Sequence, residues 1–257
     1  MNSLLFSCAL ACLFLNPFSS IAQPGAIHSD PLHPLRMMYG MVDQGHAIQL
    51  IYTSPYGIKS LKDFSMAYSR PLPGGSVMAG VNAAGITGYL CYRGELAYSL
   101  TVGENFHAGL GLAADFLPAK GRKKTGIIPG SSFYLDYFLA GKFQTSIYFD
   151  SWTGLWTSRE FPHSEARLSF ASRFYPRDDI SFVAGVSYAR ARKPVYSLGL
   201  SVTGGESHEI MGGMRSSPGG FWIAYRYSQG KFEFILSLFT GMVFGYEPGS
   251  AFRYHFK

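Results

Sequence analysis

The sequence has no apolar run of about 18 residues after its first twenty or so, and this excludes a bundle of membrane-spanning helices. It is also poor in charge. Charged residues make up 15% of the 257 positions, well below the roughly 25% of an ordinary soluble domain. Cysteine is scarce. Of three, Cys8 and Cys12 lie in the N-terminal apolar segment, so Cys91 alone remains in the body of the chain. One thiol forms no internal disulfide and builds no metal site by itself. Phosphate-binding loops, clustered metal ligands and dinucleotide fingerprints are missing too, so no cofactor and no metal is expected. The formal charge of +6 gathers in two places: Lys120, Arg122, Lys123 and Lys124, and Arg190, Arg192 and Lys193. On an exported chain these suit anionic lipid headgroups or plain solvated loops, not nucleic acid.

Export is read from the first 22 residues. Leu4, Leu5, Phe6, Leu10, Leu13, Phe14 and Leu15 form an apolar centre, and Ser20-Ile21-Ala22 is a small-x-small cleavage site before Gln23. Residues 23–45, with Pro24, Pro31 and Pro34, read as an irregular arm or a plug, and 46–257 as one domain.

Aromatics reach 16% and glycines number 30, and the apolar residues follow a period of two. Leu168, Phe170 and Phe174 alternate with Arg167, Ser169 and Arg173. Tyr196, Leu198, Leu200 and Val202 alternate with Ser197, Gly199, Ser201 and Thr203. Phe232, Phe234, Leu236 and Leu238 alternate with Lys231, Glu233 and Ser237. Successive side chains of a strand point to opposite faces, so this rhythm describes strands between two solvents. Short turns such as Pro73-Gly74-Gly75, Gly103-Glu104-Asn105, Pro176-Arg177-Asp178 and Gln229-Gly230 alternate with connectors that are often longer. The longer set comprises Gly85–Leu90, Pro118–Ser131, Thr153–His163, Arg190–Lys193, Arg215–Gly219 and Gly245–Gly249. Bacterial barrels have short periplasmic turns and longer extracellular loops. Counting back from a last strand at about 249–256 gives thirteen strands to residue 61, and His46–Thr53 supplies a fourteenth. The expected fold is an all-β, transmembrane, up-and-down antiparallel barrel of about fourteen strands.

The stretch Ser54-Pro-Tyr-Gly-Ile-Lys-Ser-Leu-Lys-Asp-Phe-Ser-Met66 resembles the entry segment of the FadL-like outer-membrane barrels, including PorV-like proteins of Bacteroidetes. Pro55, Gly57, Ile58 and Leu61 stand where that pattern has Pro, Gly, an aliphatic residue and Leu; Ser54 and Tyr56 depart from it. The resemblance covers most of the mature chain in pattern, and in motif about residues 54–117. It implies a barrel of about fourteen strands in a Gram-negative outer membrane. It also implies passive transport of small or hydrophobic solutes, or an accessory, non-catalytic role in an outer-membrane secretion or assembly complex. The chain's end, Gly249, Phe252, Tyr254 and Phe256, resembles the signal by which the barrel-assembly machinery recognises its clients. Expected partners are outer-membrane lipid and lipopolysaccharide, that machinery during biogenesis, and in the accessory reading an outer-membrane protein.

The faces predicted to point into the lumen carry Asp63, Arg93, Glu95, His107, Asp115, Asp136, Asp150, Glu165, Arg167, Arg173, Arg226, Glu233, Arg253 and His255. They read either as a polar pathway or as ion pairs that hold the wall closed. Both signs are present, which argues against strong ion selectivity. Tyr92, Trp152, Trp156, Phe161, Phe174, Tyr175, Tyr188, Tyr196, Phe221, Tyr227 and Phe256 are expected in interfacial girdles. No catalytic residue is assigned. His163-Ser164-Glu165 and Ser207-His208-Glu209 bring together suitable groups, but neighbours on a strand face opposite ways. Asp178-Asp179 offers too few ligands for Ca²⁺.

Overall fold

Alternating apolar and polar residues cannot stay as isolated ribbons in a membrane, because every unpaired backbone amide in hydrocarbon is costly. Closing the sheet on itself removes the edges. A computed structural model describes residues 46–54, 61–86, 89–103, 105–117, 126–139, 142–150, 167–189, 193–205, 207–216, 219–241 and 245–256. These form fourteen strands: β1 (Ala47–Thr53), β2 (Leu61–Leu72), β3 (Gly75–Ile86), β4 (Tyr89–Val102), β5 (Phe106–Leu117), β6 (Gly126–Leu139), β7 (Phe143–Asp150), β8 (Arg167–Arg177), β9 (Ile180–Ala189), β10 (Val195–Gly204), β11 (His208–Ser216), β12 (Gly219–Gln229), β13 (Phe232–Gly241) and β14 (Gly245–His255). Each strand pairs antiparallel with its sequence neighbours, and β1 pairs with β14 to close the barrel. The proposed leader and residues 23–45 lie outside the described residues.

Connectors at one end of the barrel, such as 73–74 and 230–231, have two or three residues, whereas the strand ends opposite are joined in sequence by longer stretches, 54–60, 118–125 and 151–166 among them. Gly74, Gly103, Gly205 and Gly230 hold positive φ in the short turns, a conformation that residues with a Cβ adopt only with strain. Several boundaries differ from those the composition suggests. Gly245–Gly249 belongs to β14, where Gly249 pairs with Ser237 on one side and Thr53 on the other. Gly85, Ile86, Tyr89 and Leu90 are strand, as are Gly126–Ser131 and Pro176–Arg177. Pro248 has no amide to give the ladder, but its carbonyl still accepts a bond from the Ser54 amide at 3.0 Å.

The outer wall carries the apolar set of the alternation. Leu110, Leu112, Leu96, Leu236, Phe221 and Ile223 are all more than half exposed, as residues facing lipid should be. At the short-turn end the outward rings meet across the closure seam. His46 stacks on Phe256 with centroids 4.5 Å apart, and its Nε2 lies 3.1 Å from the Tyr68 hydroxyl. Phe256 meets Tyr254 edge-on, and Phe232 contacts both Tyr254 and Phe252. The C-terminal residues Phe252, Tyr254 and Phe256 therefore join β13, β14, β1 and β2 on the outer face. Lys231 lies 5.8 Å from the Tyr254 ring centre, a cation–π contact.

Candidate functional site: the lumen wall

The inward positions follow from the register. Passing from partner to partner around the wall, one row runs Glu209, Arg226, Ile235, Ala251, Ile51, Ser65, Asn82, Arg93 and Asp115. It begins near the short-turn end and finishes near the long-connector end. Three zones appear along it.

The first is a ladder of ion pairs across β8 to β14. Arg226 reaches Glu209 at 2.6 Å and Glu233 at 3.7 Å. Arg253 and His255 meet the same Glu233 carboxylate at 3.3 and 3.4 Å. Arg173 approaches Glu209 at 3.5 Å, and Ser201 donates to the same oxygen. Arg253 also donates to the Gln49 side chain on β1 at 3.4 Å, so the ladder crosses the seam. Glu209 is 5% exposed, and burying a charge is costly unless it is paired as it is here.

The second zone is apolar. Ile51, Val183, Met211, Trp222, Ala224, Ile235 and Ala251 form one buried cluster on the inner wall, with Ala171 and Phe239 against it. Trp222 is accommodated by glycines: a Cβ on Gly213 would lie 2.7 Å from its ring, and one on Gly199 2.8 Å. The third zone lies on β2 to β5. Asn82 donates to Asp63 at 2.5 Å and to Ser65 at 2.8 Å. Arg93 sits 3.6 Å from Asp115 and 3.9 Å from Glu95, which accepts from Ser132 at 3.2 Å.

Between the zones, across β3 to β9, a second row reads Ser76, Ser99, Gly109, Tyr134, Tyr148, Ser169 and Ser187. Ser76 and Ser99 hydroxyls lie 2.6 Å apart, and Ser169 donates to Ser187 at 2.9 Å. The Tyr134 ring lies over Gly109, whose missing Cβ makes the room, and its hydroxyl bonds to Ser99. Closer to the short turns Ser146 donates to Asp136, and His107 Nδ1 lies 3.2 Å from Thr101 Oγ1.

Of the charged residues singled out in the sequence, Arg173, Arg226, Glu233, Arg253 and His255 meet in the ladder, and Asp63, Arg93, Glu95 and Asp115 in the zone across β2–β5. Asp136 and His107 stand apart from both. Asp150 and Arg167 face each other in register, but their side chains lie outside the described residues, as does all of His163-Ser164-Glu165. Glu209, the centre of the ladder, is absent from the sequence-derived lumen set, although it lies in phase with Met211 and opposite His208. His208 itself points outward and bonds the Tyr225 hydroxyl at 2.8 Å, so the two neighbours face opposite solvents. Asp179 is engaged by Arg177 at 3.0 Å. Tyr175, expected in a girdle, instead stands by Arg173, two residues before it on the same face, whose guanidinium lies 5.7 Å from the ring centre. The apolar zone is legible only by phase: Trp222 stands two from Ala224 and four from Arg226, while Phe221 and Ile223 on either side point out.

No protein-family model matches the sequence, and no curated protein does. Solved structures with a similar fold are outer-membrane barrels. The monoaromatic hydrocarbon channel CymD shares 9% identity at a TM-score of 0.56, covering 95% of this chain and 98% of its own. The deltaS2 mutant of the TodX monoaromatic hydrocarbon channel shares 9% at a TM-score of 0.57, covering 90% and 94%. The Acinetobacter baumannii outer membrane protein Omp33 shares 8% at a TM-score of 0.51, covering 83% and 99%. At such identity the likeness is one of fold.

Proposed function

We propose that this barrel is a passive channel for small or hydrophobic solutes in the outer membrane of a Gram-negative bacterium, with the short turns facing the periplasm. The observation that carries the reading is the contrast between the two faces of one closed sheet. Aliphatic and aromatic side chains cover the outside, while hydroxyls and paired charges, together with one apolar cluster around Trp222, line the inside. Such a wall lowers the barrier for a molecule crossing lipid, and fourteen strands enclose more than the roughly 8-stranded barrels that their own side chains fill. The solved channels for monoaromatic hydrocarbons share this fold, and the resemblance of residues 54–66 to the FadL-like and PorV-like entry segment favours the hydrophobic end of the solute range. The ladder around Glu209 and Glu233 then serves to hold β8–β14 and β1 together at the periplasmic mouth. The aromatic C-terminal strand is the feature the assembly machinery would read.

Reconstitution tests the channel. The full-length protein in planar bilayers should give discrete conductance steps, and vesicles containing it should admit small neutral solutes faster than empty vesicles. Insertion without conductance and without solute entry would overturn the channel reading and leave the accessory role.

A further inference from the structure

Two large rings on the inner wall are seated against it by glycines. Trp222 on β12 faces inward, and its register partner on β11 is Gly213, whose own partner on β10 is Gly199. The far edge of the indole rests over both. A Cβ on Gly213 would meet the ring at 2.7 Å and would also strike the Leu198 carbonyl, so the backbone needs a glycine there in any case. Gly199 is more telling. The nearest atoms a Cβ would meet are Cζ2 and Cη2 of the indole, at 2.8 and 3.0 Å. Tyr134 on β6 repeats the arrangement, with its ring over its register partner Gly109 on β5. Glycine inside a strand is destabilising relative to alanine, and it commonly marks a place where something approaches the backbone closely. Here that something is an inward aromatic ring.

The two rings stand on opposite walls. β6 and β12 are six strands apart in a closed ring of fourteen. Their heights agree as well. Trp222 lies seven residues before the short-turn end of β12 at Gln229, and Tyr134 five before that of β6 at Leu139. An inward Cβ at Gly199 or Gly109 would come between ring and backbone and lift the ring towards the lumen. We propose that Trp222 and Tyr134 are the opposing jaws of an aperture that sets the largest solute the barrel passes, held open by Gly199 and Gly109; the proposal rests on the channel reading above. Side chains that project into a lumen control what crosses it. With a glycine beneath it, each ring keeps its bulk against the wall and out of the pathway. A ring laid across a glycine can also steady a sheet, but that role changes stability alone and leaves the bore as it is.

Single-channel recording of the full-length protein in planar bilayers, with size exclusion by poly(ethylene glycol) of increasing mass, tests this. Gly199→Ala should lower the conductance step about twofold and exclude smaller polymers, and Gly109→Ala should do the same. Trp222→Ala should raise both the step and the cut-off. Combining Gly199→Ala with Trp222→Ala leaves no ring to lift, so the pair should match Trp222→Ala alone. Leu200→Ala, on the outer face beside Gly199, should keep the wild-type step. A Trp222→Ala barrel with the wild-type step and cut-off would overturn the proposal, whether or not the glycine variants fold. So would a Gly199→Ala loss that persists once the indole is gone. Wild-type protein that inserts and conducts nothing overturns the channel reading and the aperture with it, whereas a conducting barrel whose bore none of these variants moves overturns the aperture alone.

Discussion

Glu209 binds Arg226 at 2.6 Å between neighbouring strands, and Arg173 reaches the other oxygen of the same carboxylate at 3.5 Å. One buried anion thus compensates two cations from β8 and β12. Replacing it by a neutral amide, Glu209→Gln, removes the carboxylate that faces Arg173 and takes the nearer of two anions from Arg226, which keeps Glu233 at 3.7 Å. Removing one member of a buried pair typically costs about 3–5 kcal/mol. Equilibrium urea unfolding of the vesicle-inserted protein should show a loss of that order. In a conducting barrel the same variant should shift the reversal potential in a salt gradient towards anion preference. An unchanged unfolding midpoint would show that water or another group already screens the pair.

Tyr134 and Gly109 make a fitted pair. A Cβ on Gly109 would fall within the phenol ring, so Gly109→Ala forces the ring away from Ser99. Overpacking of this kind typically costs about 1–3 kcal/mol. Tyr134→Ser removes the obstacle, so adding it to Gly109→Ala should recover part of the loss. A double-mutant cycle on unfolding free energies measures the coupling, and strictly additive costs would mean that the ring and the glycine do not constrain each other.

Much of the fold is legible before any coordinates because a strand that separates lipid from a polar interior must write both solvents into its sequence. β10 and β13 show this plainly: Leu198, Leu200 and Val202 point out, as do Phe232, Phe234 and Leu236. The misplaced boundaries come from residues whose local meaning is ambiguous. Gly245, Pro248 and Gly249 look like a loop, yet Gly249 fills an inward position between Ser237 and Thr53, where backbone pairing and not side-chain preference decides. The interior is less legible for a related reason. A two-colour reading sends apolar residues outward, and so it passes over Ile51, Met211, Trp222 and Ile235, which face in. Phase is the signal that retrieves them, because each lies an even number of residues from an inward polar group: Gln49, Glu209, Arg226 or Glu233. The same rule retrieves Glu209, which the pairing of His208 with Ser207 in the search for a catalytic group obscures.

The seam depends on its outer rings. Phe256 stacks on His46 and meets Tyr254 edge-on, so it ties the end of β14 to the start of β1. Aromatic pairs contribute about 0.5–1.5 kcal/mol beyond the area they bury. Phe256→Ala should therefore weaken the barrel by about 1 kcal/mol or more. The opening should be local: amide exchange should rise first in β1 and the last residues of β14, with β4 and β5 unaffected. Uniform exchange throughout the barrel would instead mean that the seam is no weaker than the rest of the wall.

Two adjacent positions on β13 separate the membrane reading from every soluble alternative. Leu236 is 62% exposed on the outer wall, and Ser237 beside it faces in. In lipid, an arginine near the bilayer midplane on the outer face costs about 2–4 kcal/mol, whereas a cation on the lumen side remains near water and other polar groups. Leu236→Arg should therefore lower stability in vesicles by that amount or prevent insertion, and Ser237→Lys should cost much less. A water-soluble barrel reverses the order, because the exposed leucine becomes the harmless place for a charge. Folding yield into vesicles, read from the heat-dependent shift in gel mobility, distinguishes the two orders. If Leu236→Arg inserts as well as wild type while Ser237→Lys fails, the outer wall does not face hydrocarbon.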